Sequence, residues 1–309
     1  MSKYFIFCVL FLLSACQKDS DKNPSKILIS GTENIGGTFK AVFWNNGSKT
    51  ILSNIASEAY SIYASGSDVY IAGSEIILGK YYPVIWKNGS KTQLSTNVGI
   101  ATSVFVNGND VFVSGTEDVY TSKPVAVFWK NGIKTQLSSK KSGSSSVFVN
   151  SSGVYIVGTD DDRACLWKDG TKIVLNAGVN SVAYDIAMLG SDYYIIGFDM
   201  ISNKTYPMMW KNSTITTQLG TVDWGHANNI EISNSNIYVT GSDGGPCYWK
   251  NGLKTQLTNT SNTNAAGISI FGTDIYVSGQ ENDKACYWKN GTSVSLSGLS
   301  SVATSIIVQ

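Results

Sequence analysis

The chain contains a single histidine, His226, within the segment Asp223-Trp224-Gly225-His226. One histidine excludes a multi-histidine metal site, and a serine nucleophile served by it would need a Gly-x-Ser-x-Gly elbow, which the sequence lacks. Trp224 is the one tryptophan outside the repeat described below; it could stack on a sugar or clamp a peptide, or it could simply cover its own part of the fold. The candidate ligand-binding residues are Asp223, Trp224, His226, Tyr120, Asp185 and Asn229.

A carboxylate stands two positions after each of seven repeated glycines. Seven acids suggest a cation site, but groups that encircle an axis do not converge on one ion. Hydrogen bonds that tie each loop to its neighbour are the simpler interpretation, and they would leave that face negative. The run Asp160-Asp161-Asp162 lacks the glycine and downstream glutamate of a calcium loop, so we predict no metal, no cofactor and no catalytic residue. The acidic ring consists of Glu33, Glu75, Glu117, Asp160, Asp199, Asp243 and Glu281.

One unit repeats seven times, and its marker is a tryptophan followed by a tight turn. Trp129-Lys130-Asn131-Gly132 is a typical copy, and the copies lie about 40 residues apart, the length of a β-propeller blade. Asn-Gly is the preferred type I′ hairpin turn. The repeat tryptophans, which we expect to pack between blades, are Trp44, Trp86, Trp129, Trp167, Trp210, Trp249 and Trp288.

The pattern of strand and turn residues in each unit predicts four antiparallel strands. In the third unit these are strand A (Ser103–Val106), strand B (Val111–Ser114), strand C (Val125–Trp129) and strand D (Lys134–Leu137). Four short strands in each unit indicate an all-β fold of the β-propeller type, with a β-solenoid as the rival.

The two ends of the repeat region favour the propeller. The region begins in a B strand at Ile27 and ends in an A strand at Val308. Pairing the two closes a ring and removes two open edges, whereas a solenoid would need polar caps. We therefore predict one domain, residues 27–309, that forms a seven-bladed β-propeller.

Three cysteines occupy the same position of the repeat. Cys165, Cys247 and Cys286 each lie two residues before a repeat tryptophan, where other units have valine or methionine. Equivalent positions in different blades are too far apart for a disulfide, so we expect small apolar core residues.

The unit Ala285-Cys286-Tyr287-Trp288-Lys289-Asn290-Gly291, followed by Leu296, resembles the tryptophan-containing extracellular repeats of bacterial surface lipoproteins. The resemblance covers all seven units and implies a propeller, but it carries no catalytic residue. A tryptophan at the end of strand C also resembles WD-repeat blades, although their Gly-His element is absent.

The N-terminus predicts export and lipid attachment. Lys3 precedes an apolar run too short to span a bilayer, and Leu13-Ser14-Ala15-Cys16 resembles the lipobox of bacterial lipoproteins, in which the cysteine is acylated. We predict a signal peptide over residues 1–15, then lipidated Cys16 and a flexible tether over residues 16–26. The residues after Cys16 resemble the acidic signal that exports some lipoproteins, which implies the outer membrane, facing the cell exterior.

The copies of the repeat differ in length mainly between strands B and C, and we expect the extra residues to lie in loops. B–C and D–A loops share one face of a propeller, and variable loops on a rigid scaffold are where binding usually resides. The lysines of the Trp-Lys turns, and those that start strand D, mark the opposite face, which we expect to lie toward the membrane.

The leading functional hypothesis is a monomeric, surface-anchored binding module for a glycan or a protein. The 23 basic and 22 acidic residues give a net charge of +1, which argues against a nucleic-acid partner. A glycan-processing enzyme, hydrolase or lyase, stays an alternative because acids are numerous on the predicted binding face. A purely structural envelope component is the third.

Overall fold

The computed structural model describes residues 24–175, 177–260 and 262–309. The predicted signal peptide and Cys16 lie outside these residues. The described residues form 28 strands and no helix, and none of their segments is a helix long and apolar enough to cross a bilayer.

The strands are numbered in chain order. The first fifteen are β1 (Ile27–Ile35), β2 (Thr38–Asn45), β3 (Ser48–Ile51), β4 (Ser57–Ser65), β5 (Asp68–Ile77), β6 (Lys80–Lys87), β7 (Ser90–Gln93), β8 (Gly99–Asn107), β9 (Asp110–Glu117), β10 (Val125–Lys130), β11 (Ile133–Gln136), β12 (Ser142–Asn150), β13 (Gly153–Asp160), β14 (Arg163–Lys168) and β15 (Thr171–Val174). The others are β16 (Val182–Leu189), β17 (Asp192–Ile201), β18 (Lys204–Lys211), β19 (Ile215–Gln218), β20 (His226–Ser233), β21 (Asn236–Ser242), β22 (Pro246–Lys250), β23 (Leu253–Gln256), β24 (Asn264–Phe271), β25 (Asp274–Glu281), β26 (Lys284–Lys289), β27 (Thr292–Ser295) and β28 (Ser301–Val308).

These strands form seven antiparallel sheets of four strands, which are the blades of a β-propeller. Blade 1 is composite, because β28 pairs with β1 and is followed by β2 and β3. Blades 2 to 7 each take four consecutive strands, beginning with β4, β8, β12, β16, β20 and β24. The predicted strands of blade 3 have the right order, and the observed β8 and β9 extend beyond the predicted A and B strands at both ends.

Strand A is the innermost strand of each blade; in blade 1 it is β28. Each A strand contacts the A strands of the two neighbouring blades, so β28, β4, β8, β12, β16, β20 and β24 form a ring around the axis. The D strands are the outermost, and every residue of β3, β7, β11, β19 and β27 is exposed.

Seven apolar cores lie between neighbouring blades, and each contains one repeat tryptophan. Trp86 of blade 2, for example, is fully buried against Leu28 and Ala41 of blade 1. The repeated glycine makes room for the indole: a Cβ on Gly73 would lie 2.1 Å from the Glu58 carbonyl oxygen and 2.8 Å from the Trp86 ring. Burial of a whole indole in each core is the largest hydrophobic contribution in the repeat.

The three cysteines described are free and buried, each in a different interblade core. Burial raises the pKa of Cys247 and Cys286 to about 12. Their thiols therefore stay protonated at neutral pH.

The Trp-Lys-Asn-Gly turn is explained by its contacts with the A–B turn of the same blade. Asn131 and Gly132 both have positive φ, as a type I′ turn requires. Asn131 Oδ1 accepts the Val111 N–H at 2.8 Å, and its Nδ2 donates to Asp110 at 2.7 Å. Lys130 Nζ lies 2.8 Å from Asp110 and 5.3 Å from the centre of the Phe112 ring. The motif therefore joins two turns at one end of the blade.

One expectation about the loops is wrong. In blades 1, 2 and 5 the extra residues between strands B and C lengthen both strands and end in a two-residue turn, such as Leu78-Gly79. Only blade 3, among the blades described, has an extended B–C loop, residues 118–124. Continued pairing satisfies the backbone polar groups that a loop would leave to water, so most of the variation is in hairpin length.

Candidate functional site

The channel along the propeller axis contains a polar cavity of about 280 Å³. We call the end with the B–C and D–A connections the BC face and the other end the AB face. The cavity extends from the BC face to about the middle of the channel, since its lining residues are among the first five residues of each A strand. All seven blades contribute, through Tyr60, Ser61, Thr102, Ser103, Ser145, Ser146, Tyr184, Asp185, His226, Asn228, Asn229, Asn264, Ala266, Thr304 and Ser305.

A β-bulge in every A strand shapes this lining. The register between strands A and B shifts at the same place in each blade, for example between Ala59 and Ser61 and between Ala183 and Asp185. A bulge leaves one residue unpaired and redirects its side chain. The bulged residues are Thr304, Tyr60, Thr102, Ser145, Tyr184, Asn228 and the pair Ala266-Gly267.

Most of the polar residues beside the channel also hold neighbouring blades together. The inner edge of an A strand has no further strand to pair with, so its N–H groups need other acceptors. Asp185 of blade 5 supplies one: its Oδ2 accepts the Ile230 N–H of blade 6 at 3.0 Å. Asn229 Oδ1 in turn accepts the Ile268 N–H of blade 7 at 2.9 Å.

Asp185 is saturated by these contacts. Its Oδ1 accepts from Ser146 Oγ at 2.7 Å, and its Oδ2 also accepts from Asn229 Nδ2 at 2.5 Å. Burial raises the pKa of Asp185, and the hydrogen bonds oppose that shift. The carboxyl thus links blades 4, 5 and 6 and is not aimed at a ligand.

Bulged side chains make a second set of links. Thr304 Oγ1 donates to the Ala59 carbonyl oxygen at 2.8 Å, and Thr102 Oγ1 donates to that of Ser144 at 2.9 Å. Blades 2 and 5 have a tyrosine at this position instead. Tyr60 donates to Glu58, and the Tyr184 ring lies 5.8 Å from that of Phe198. These two tyrosines are therefore the aromatic part of a lining made otherwise of small or amide side chains.

His226 joins the cavity to the rim of the BC face. Burial lowers the pKa of His226, and its hydrogen bond to the Trp224 carbonyl oxygen opposes that shift. The imidazole is therefore neutral at pH 7 and presents hydrogen-bonding groups without charge.

Trp224 is exposed on that rim in a strained conformation. Its side chain is 67% exposed and its φ is +66°, a region that a bulky residue rarely adopts. The loop is held on both sides: Asp223 accepts from Lys204 at 2.5 Å and from Tyr206 at 3.0 Å, and the Gly225 N–H donates to the Thr205 carbonyl at 3.1 Å.

Tyr120 lies on a different part of the BC face. It is 52% exposed in the B–C loop of blade 3, and its hydroxyl donates to the Gly79 carbonyl of blade 2 at 3.0 Å. Its ring stacks on Tyr81 at 6.2 Å. Leu78, in the adjoining turn, is 98% exposed.

The structure therefore divides the six predicted ligand-binding residues. His226, Asp185 and Asn229 line one cavity. Asp223 and Trp224 lie outside its lining, in the loop that leads to His226 and packs on β18, and Tyr120 stands apart from them. The sequence analysis did not select Tyr60 or Tyr184. The recurring pattern of alanine or serine, one variable residue, a small or polar residue and an aliphatic one, as in Ala59-Tyr60-Ser61-Ile62, was the available signal.

The acidic ring ties loops to strands. Glu75 accepts from Ser53 Oγ of the preceding D–A loop at 2.7 Å and from Lys91 of its own strand D at 2.6 Å. Burial by itself would raise the pKa of Glu117, but hydrogen bonds from Lys134, Ser95 and Asn97 hold that pKa below its usual range. Glu33, Asp160 and Asp243 likewise pair with strand-D lysines.

These ion pairs correct the expected charge pattern of both faces. Strand-D lysines pair with five of the seven acids of the ring, so the BC face is less negative than expected. On the AB face, Lys87, Lys130, Lys211 and Lys289 pair with aspartates of the A–B turns. Among the described residues, no group of three or more His, Cys, Asp or Glu could hold a metal ion.

No protein-family model matches the chain, and no curated protein matches its sequence. Solved structures do resemble it. The β-propeller domain of the Trilobed protease from Pyrococcus furiosus, which has an open velcro topology, matches with a TM-score of 0.56 and 10% identity over 90% of this chain and 94% of that one.

Two larger peptidases also resemble it. A Mycobacterium tuberculosis puromycin-hydrolyzing peptidase has a TM-score of 0.55 and 11% identity over 87% of this chain and 53% of that one. The Pyrococcus horikoshii acylaminoacyl peptidase has a TM-score of 0.53 and 12% identity over 90% and 52%. This chain thus spans about half the length of either peptidase. At such identities the likeness shows the fold alone: the protein is a seven-bladed β-propeller.

Proposed function

We propose that the protein is a non-catalytic binding module that takes an uncharged, hydroxyl-rich ligand, a glycan, into the axial cavity from the BC face. The composition of the cavity carries this proposal. Serine, threonine, asparagine and tyrosine side chains, with a neutral His226, dominate the described lining. Such groups both donate and accept hydrogen bonds, as sugar hydroxyls do.

The cavity supports binding better than glycoside hydrolysis. Hydrolysis needs two carboxyl groups at a defined separation. Asp185 is the one carboxylate among the described residues that line the cavity, and its oxygens are occupied by Ser146, Asn229 and Ile230.

The position of the chain termini supports an anchored arrangement. The Lys26 N–H donates to the Gln309 carbonyl at 2.9 Å, and the Gln309 N–H donates back to Lys26 at the same distance. β1 therefore starts at the AB face, where Ser25 and Lys26 bond to Gln309. With Cys16 acylated in the outer membrane, the cavity mouth would point away from the bilayer, toward the cell exterior.

Filling the cavity tests the proposal. Ser145→Leu places an apolar side chain in the lining, and Ser151→Leu, in the exposed A–B turn of the same strand, is the matched control. The full chain in detergent is screened on a glycan array and the best ligand is titrated calorimetrically. We expect Ser145→Leu to abolish binding and Ser151→Leu to retain it. Equal binding by both variants, or binding of no glycan, would contradict the proposal.

A further inference from the structure

The aromatic side chains described below lie on two opposite sides of the axis at the BC face; Phe39 of blade 1, 46% exposed beside a B–C turn, belongs to neither group. One group belongs to blades 2 and 3, and the other to blade 5 and the loop entering blade 6. In a ring of seven, blade 2 stands directly opposite the junction of blades 5 and 6. The two groups therefore mark one diameter of the face.

The first group runs outward from the cavity. Tyr60 lines the cavity and donates to Glu58. Tyr81 donates to the other oxygen of Glu58 at 3.3 Å, and its ring stacks on exposed Tyr120. The three tyrosines thus form a continuous strip from the axis to the rim.

The second group also starts in the cavity. Tyr184 lines it and packs on half-buried Phe198 of β17. Beside this pair, His226 connects the cavity to exposed Trp224. The left-handed φ of Trp224 is maintained by bonds to the residues on both sides of it, which is the arrangement expected where strain holds a side chain for binding.

The sectors between these groups are built differently. The cavity lining of blades 3, 4, 7 and 1 holds no aromatic ring; it consists of Thr102, Ser103, Ser145, Ser146, Asn264, Ala266, Thr304 and Ser305. Without rings in these sectors, the middle of the diameter between the two aromatic groups is open to a ligand. The carboxylates Glu58, Asp185 and Asp223 along this diameter are already bonded: Glu58 to two tyrosines, Asp185 to Ser146, Asn229 and the Ile230 N–H, and Asp223 to Lys204 and Tyr206.

We infer that the ligand is a linear, uncharged oligosaccharide that crosses the BC face along this diameter; the inference rests on the proposed function. Hydroxyl and amide side chains of the cavity bind the central sugar. Tyr81 and Tyr120 stack on sugars at one end, and Trp224 stacks on a sugar at the other. Aromatic rings suit the apolar faces of sugar rings, and their hydroxyl or imino groups suit the edges.

Chain length is the variable that tests this. The full chain in detergent is titrated calorimetrically with neutral hexasaccharides of β-1,4-linked glucose, mannose, xylose and N-acetylglucosamine, and with the matching monosaccharides. We expect at least one hexasaccharide to bind about tenfold or more tighter than its monosaccharide, because flanking sugars gain stacking contacts. Tyr81→Ala, Tyr120→Ala and Trp224→Ala should each weaken hexasaccharide binding about fivefold and leave monosaccharide binding unchanged.

Leu253→Ala is the control, since Leu253 is 77% exposed on outer strand β23; it should change neither affinity. A hexasaccharide that binds no tighter than its monosaccharide, or that is insensitive to changes at both ends, overturns the diametric track and leaves the cavity proposal standing. Failure of every sugar in the panel to bind overturns both.

Discussion

Asn229 of blade 6 donates through Nδ2 to Asp185 Oδ2 of blade 5 at 2.5 Å, while its own Oδ1 accepts a backbone N–H of blade 7. Ser146 of blade 4 donates to the other carboxylate oxygen of Asp185. Side-chain hydrogen bonds thus link the inner edges of four consecutive blades, where the A strands have no further strand to pair with. This part of the axial lining holds the ring together as well as forming the cavity wall.

The first prediction concerns these hydrogen bonds. Asp185→Ala removes the acceptor for Ser146, Asn229 and the Ile230 N–H, and donors that lose a buried partner are costly. We expect a loss of about 2 kcal/mol in the free energy of unfolding, measured by urea denaturation. Asp192→Ala is the control: Asp192 pairs with Lys211 in an A–B turn, and such a surface pair contributes little to stability because water and salt screen it. Equal costs for the two variants would contradict the structural role of Asp185.

The second prediction concerns the close approach of Gly73 and Trp86. A methyl group at Gly73 would meet the Glu58 carbonyl and the indole, so strand A must move or the tryptophan must leave its rotamer. We expect Gly73→Ala to cost about 3 kcal/mol. Gly298→Ala should be nearly neutral, because nothing lies within 4 Å of a Cβ at Gly298. Thermal unfolding of both variants checks this prediction. A Gly73→Ala protein as stable as the unchanged protein would show that the core has room for a methyl group beside the indole.

The third prediction is a pH dependence caused by Glu231. Burial raises the pKa of Glu231 to about 7, against the hydrogen bonds from Ile270 and Ser269. Because the folded state holds the proton more tightly than the unfolded state, the stabilisation is complete below the unfolded pKa of about 4.5 and is lost as pH rises through 7. Glu231→Gln should therefore unfold with a shallower decline in stability between about pH 4.5 and 7. Denaturation at several pH values tests it; parallel curves for the two proteins would refute it.

The fourth prediction concerns orientation on the cell. The cysteines described are buried, so a new surface cysteine can be labelled selectively. Leu78 is 98% exposed on the BC face and Ile133 is 75% exposed beside the C–D turn on the AB face. With intact cells and a bulky impermeant maleimide, Leu78→Cys should react several times faster than Ile133→Cys. The same two variants in detergent should react at similar rates, which serves as the control. A faster reaction of Ile133→Cys on cells would reverse the proposed orientation.

Much of the architecture follows from short-range patterns in the sequence. Asn131-Gly132 needs only its own backbone preference to form a turn, and the apolar run Val125–Trp129 next to that turn is enough to predict a largely buried strand. Extension of β5 and β17 into longer hairpins was not predicted, because apolar residues near a turn fit a loop or a longer strand equally well until the partner strand is known. Pairing of Lys91 with Glu75 was missed for a related reason: both were assigned to a face by their position along a strand, and a lysine side chain is long enough to reach the other end.

The sequence alone determined the number of blades, the strand order within each blade, the turn chemistry and the tryptophan of every interblade core, since each depends on neighbours along the chain and recurs seven times. Only the tertiary structure decided that the bulged residues meet at the axis and that Tyr60 and Tyr184 lie on opposite sides of one cavity. It also decided that the carboxylate oxygens of Asp185 accept hydrogen bonds from neighbouring blades. Those relationships join residues from different blades, and closing the ring is what fixes which of them face each other.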